Sequence, residues 1–66
     1  MSYRNAVIDR LNIMPENQGI PEDFWQGLDE TLSDARFWDA LHETPTSEAI
    51  LKAAEQEVAD YLHNRS

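Results

Sequence analysis

The chain has no cysteine, so neither a disulfide framework nor a thiolate metal site can hold it together. Glycine is almost as scarce. Gly19 and Gly27 are too far apart to cradle a phosphate, and no Gly-Lys-Ser/Thr sequence occurs, which removes nucleotide hydrolysis from consideration. The four serines fall at cap-like or terminal positions, and with no thiol available nucleophilic catalysis has nothing to work with. Cations are few: 5 Lys and Arg stand against 13 Asp and Glu in 66 residues, a formal net charge of −8. That balance argues against direct binding of a nucleic acid backbone or an anionic membrane, because both attract basic faces and repel acidic ones. No stretch approaches the ~20 apolar residues of a membrane span, and the N-terminus lacks the basic-then-apolar order of a secretion signal, so the expected compartment is the cytoplasm. A chain this short buries only about 60% of its unfolded surface, which predicts one domain over residues 1–66 with a modest core.

What is present is apolar residues with helical spacing. They make up 41% of the chain and include Tyr3, Phe24, Trp25, Phe37, Trp38 and Tyr61, enough for a core and too many for disorder. From an N-cap at Ser2, Tyr3, Val7, Leu11 and Met14 recur at intervals that stack them on one side of a helix, while Ile13 falls off that stripe and Pro15 disfavours helix at Met14. The segment from Met14 to Ile20 reads as a loop. Pro21 suits the first position of a second helix, Glu22 and Asp23 complement the positive end of its dipole, and Phe24, Trp25, Leu28 and Leu32 form its apolar face. Gly27 within that helix is explained if another helix crosses close by.

Residues 24–31 and 37–44 echo one another, Phe-Trp-Gln-Gly-Leu-Asp-Glu-Thr beside Phe-Trp-Asp-Ala-Leu-His-Glu-Thr. Thirteen steps at ~100° would turn the second pair ~140° from the first on one straight helix, so the chain is expected to break near Ser33. Ser33 is then the N-cap, with Asp34 in the first turn and Leu32 and Phe37 as a hydrophobic staple. One long helix across residues 21–43 is the alternative. The echo itself reads as two amphipathic helices meeting similar packing demands. Thr44 or Thr46 caps the last helix, in which Ile50, Leu51, Ala54, Val58, Tyr61 and Leu62 form an apolar arc, with Glu57 bordering the core at its margin. The expected fold is all-α, a compact bundle of three or four short helices near 3–13, 21–32, 34–43 and 46–63, with the longest at the C-terminus.

Asp39-Ala-Leu-His42 and Asp60-Tyr-Leu-His63 each place a carboxylate three residues before a histidine, a spacing that puts both groups on one face of a helix. Di-iron bundles use such pairs but add carboxylates from two further helices of a longer bundle, and here the four residues read as solvated faces. No catalytic residue, metal site or cofactor is assigned.

The acidic residues are unevenly placed. Between Glu16 and Asp60 lie twelve carboxylates and two cations, Arg36 and Lys52, whereas Arg4, Arg10 and Arg65 sit towards the ends. Charge of one sign on successive helices makes a field and not a set of salt bridges. It serves solubility, or it serves recognition of a protein partner with a basic surface, either by imitating nucleic acid phosphates as small mobile-element inhibitors do or by steering a docking anchored on an aromatic residue. The expected function is a non-enzymatic binding module that inhibits or regulates such a partner, through Asp29, Glu30, Asp34, Asp39 and Glu43 with Trp25 or Trp38 as anchor. The alternative is a self-associating structural subunit that uses exposed aromatics as a homodimer interface.

Overall fold

A computed structural model describes residues 3–65, and it is all-α. Helix α1 spans Tyr3–Asn12, a single 3-10 turn follows at Pro15–Asn17, and α2 covers Glu22–Leu32, α3 Ala35–Leu41 and α4 Ser47–Arg65. The longest helix is the C-terminal one, at 19 residues.

Val7, Ile8 and Leu11 are the buried residues of α1. Its apolar stripe begins one turn later than the spacing suggests, because Tyr3 is 45% exposed, at the lip of a shallow depression shared with Ala6, Arg10 and Leu51. The proposed cap Ser2 lies outside the described residues. At the other end, side chains from the following turn close off carbonyls that helix geometry leaves without intrahelical donors. Asn17 Nδ2 donates to the Leu11 carbonyl at 2.8 Å, and Gln18 Nε2 to that of Asn12 at 3.0 Å. The segment read as a plain loop is therefore a helix stop with a buried polar residue in it, since Asn17 is only 4% exposed. Gly19 follows with φ 96°, a conformation that needs glycine, and Ile20 turns into the core.

Pro21 proves to be the N-cap of α2 and not its first residue, with the Phe24 N–H donating to the Pro21 carbonyl at 3.1 Å. Trp25, Leu28 and Leu32 are buried. The close crossing expected at Gly27 is absent: a Cβ built there meets nothing within 4 Å.

The chain does break after α2, but Asp34 and not Ser33 caps α3. Ser33 ends α2, its hydroxyl donating to the Glu30 carbonyl at 3.0 Å. Asp34 is extended, φ −91° and ψ 117°, and its carboxylate accepts the Arg36 backbone N–H at 2.9 Å. Moving the cap by one residue replaces the Leu32–Phe37 staple with Ser33 and Trp38, which are no apolar pair. What joins the two helices instead is a hydrogen bond from buried Trp38 Nε1 to the Leu32 carbonyl, 2.9 Å.

Helix α3 closes in a Schellman motif: the His42 N–H donates to the Asp39 carbonyl at 3.1 Å and the Glu43 N–H to that of Trp38 at 3.2 Å. The motif needs a left-handed residue, and His42 supplies it with φ 56°. Helix α4 starts from the second of the two threonines, Thr46 Oγ1 accepting the Ala49 N–H at 3.2 Å. Helix α1 packs on α4 and α2, and α2 packs on α4 and α3. Both Phe-Trp pairs pack alike, each edge to face, with centroids 5.2 Å apart for Phe24–Trp25 and 5.0 Å for Phe37–Trp38. Tyr61 of α4 lies against Phe24 at 4.7 Å, and Ala54 and Val58 complete the core between them and α1.

Candidate partner-binding surface

The residues expected to carry recognition divide into three groups once placed. Trp25 and Trp38 are 4% and 5% exposed and belong to the core, so neither offers an anchor to a partner or to a second copy. The reason is local: each indole lies on the inward face of its helix, and the Phe beside it takes the half-buried margin. Their polar ends differ, because Trp38 Nε1 has its carbonyl whereas Trp25 Nε1 is buried without a partner.

Asp29 and Asp34 perform structural work. Arg4 Nε donates to Asp29 Oδ1 at 2.6 Å and ties α1 to α2, with both side chains partly exposed. Asp34 caps α3 and also meets the Arg36 guanidinium at 3.2 Å. Its side-chain hydrogen bond to Arg36, then the cap, hold its carboxyl below the usual carboxylate range.

Glu30, Asp39 and Glu43 remain, and all three are exposed. Glu48, Glu55 and Asp60 extend the acidic surface along α4, Asp60 accepting from Gln56 Nε2 at 3.0 Å. In the span from Glu16 to Asp60, Arg36 is engaged by Asp34, which leaves Lys52 as the other cation there.

The two carboxylate–histidine pairs fare differently: Asp60 and His63 both stay on α4, whereas the first pair is broken up. His42 has left the helix into its left-handed turn, which ends the common face it was expected to share with Asp39. Among the described residues no three His, Asp or Glu groups could hold a metal ion together, and no helix is long and apolar enough to cross a membrane.

Two concave features touch residues of the expected site. One is a polar cleft between α1 and α2, where Asn5, Asp9, Asn12, Glu22, Gln26 and Asp29 surround parts of Ile8 and Trp25. The other is a groove between α3 and α4, in two halves that share Leu41, Ala53 and Gln56. Phe37, Glu57 and Asp60 line one half, and Glu43, Ala49 and Lys52 the other. The groove exists because α3 packs on α2 and stands away from α4. Sequence reasoning missed it. Nothing in the sequence marked it: the echo gives Leu28 and Leu41 matching positions, yet Leu28 is 4% exposed and Leu41 46%.

No family model, curated protein or solved structure matches the chain.

Proposed function

We propose that the protein is a non-enzymatic binding module that engages a partner protein through a basic surface on that partner, and so inhibits or regulates it. The carrying observation is that Glu30 on α2, Asp39 on α3, Glu43 in the turn after it, and Glu48 and Glu55 on α4 are all exposed, in a span of the chain with few opposing charges. Such a field steers a basic partner and repels acidic competitors. Imitation of nucleic acid phosphates is the form of this reading in which the partner is itself a DNA- or RNA-binding protein. Self-association through exposed aromatics has less support, since both indoles are interior and a second copy would bring one net charge of −8 against another.

The test is capture of partners from a lysate at rising ionic strength, repeated with the variant Glu30→Lys, Asp39→Lys, Glu48→Lys. A specific partner should be retained at low salt, released as salt rises, and lost by the variant while its helical circular dichroism is unchanged. Retention indifferent to both salt and charge reversal would sink the proposal.

A further inference from the structure

The α3–α4 groove allows the partner's binding element to be specified, an inference that rests on the reading above. A single exposed leucine is ordinary on a protein surface. Leu41 is different, because it lies in a concave strip with the half-buried Phe37 and Ala53, and carboxylates stand around that strip: Glu57 and Asp60 at one end, Glu43 at the other, with Lys52 the opposing cation. We propose that this groove docks an amphipathic, basic α-helical segment of the partner, one of its apolar side chains seated on Leu41 and its lysines or arginines meeting Glu57, Asp60 and Glu43.

Each part of that assignment has a physical reason. Charge selects the sign of the occupant, and it disfavours a second copy of this chain, an anionic membrane and a nucleic acid alike. Backbone chemistry selects a helix. Among the described residues there is no strand whose edge could pair with an extended peptide, so main-chain pairing offers such a peptide no affinity, whereas a helix satisfies its own backbone groups and presents side chains alone. Length agrees: from Ala49 to Asp60 the α4 wall runs ~16 Å, about three helical turns. The groove is a depression open to solvent, so it would leave much of a small molecule in water, whereas good small-molecule sites enclose roughly 70–90% of theirs.

The experiment uses two labelled peptides of identical Leu and Lys content, one with leucines at helical i, i+4, i+7 spacing and one scrambled, titrated against the whole protein by fluorescence anisotropy. The amphipathic peptide should bind at least about tenfold more tightly than the scrambled one, the order of effect that seating one apolar anchor gives. Leu41→Ala should abolish that preference, and Asp60→Lys should weaken both peptides; each variant is checked for unchanged helical circular dichroism, and neither position is buried. Equal binding of the two peptides, or a preference that survives Leu41→Ala, overturns the groove while leaving the acidic-surface proposal standing. Binding of neither peptide also overturns it. So does a protein dimer in light scattering that Leu41→Ala dissociates, which would give the groove to a second copy. The broader proposal fails separately, by salt-independent capture that survives charge reversal at Glu30, Asp39 and Glu48.

Discussion

Trp25 and Trp38 lose the same atoms when replaced by phenylalanine, yet the costs should differ. In Trp38→Phe the Leu32 carbonyl loses its buried donor, whereas Trp25→Phe removes an N–H that already lacks an acceptor. A buried group left unpaired costs ~1–3 kcal/mol, so Trp38→Phe is expected to destabilise by at least ~1 kcal/mol more than Trp25→Phe in urea unfolding. Equal costs would mean that the two indoles serve only as volume. Asp34 gives a second expectation. Its carboxyl titrates lower in the folded state than in the unfolded one, so its contribution is complete at neutral pH and is lost as pH falls through the folded value. Asp34→Asn keeps a capping oxygen but should remove this part of the acid sensitivity, flattening the low-pH limb of a plot of melting temperature against pH. Asp34→Ala should also lower the melting temperature at pH 7.

Among the helices, α2 carries a correctable defect. Gly27 lies in its interior, exposed, with nothing near the position of a Cβ and no positive φ to require glycine. Gly27→Ala should therefore stabilise the protein by about 0.5–1 kcal/mol with no change in the groove or the acidic surface, measurable as a shifted denaturation midpoint at constant slope. A loss of stability would reveal a packing constraint at this turn. Helix α3 is the contrasting case. It is seven residues long, too short to persist alone, and is held by a cap at Asp34, a Schellman turn at His42 and one indole hydrogen bond. That attachment at one side, to α2, is what leaves Leu41 and Phe37 beside an open groove.

Taken whole, the molecule is small relative to the reach of its own charge. Its radius of gyration is 11.6 Å, close to the ~10 Å Debye length at 0.1 M salt, so the surplus carboxylates repel one another across the entire domain at low ionic strength. Raising sodium chloride from ~10 mM to ~200 mM, a range over which that screening length falls severalfold, should raise the melting temperature. Screening also weakens the Arg4–Asp29 and Arg36–Asp34 pairs, but such surface pairs are worth roughly 0–1 kcal/mol each. A melting temperature that falls with salt would place the ion pairs above the self-repulsion.

Periodicity and punctuation made the helices legible in advance: apolar spacing marked α1 and α4, Pro15 and Pro21 bounded the first connection, and the turn angle between the two Phe-Trp pairs favoured a break near Ser33 over one long helix. These are local matters, settled by steric limits on a few dihedral angles and by where side-chain oxygens can reach. The candidate site was legible only as charge. Whether a carboxylate meets a partner protein or an arginine of its own chain depends on residues far apart in sequence, as Asp29 and Arg4 are. Whether an apolar residue is core or surface depends on which helix lies above it, as the different fates of Leu28 and Leu41 show. Both questions are answered by how helices pack on one another, a property that no single stretch of the chain contains.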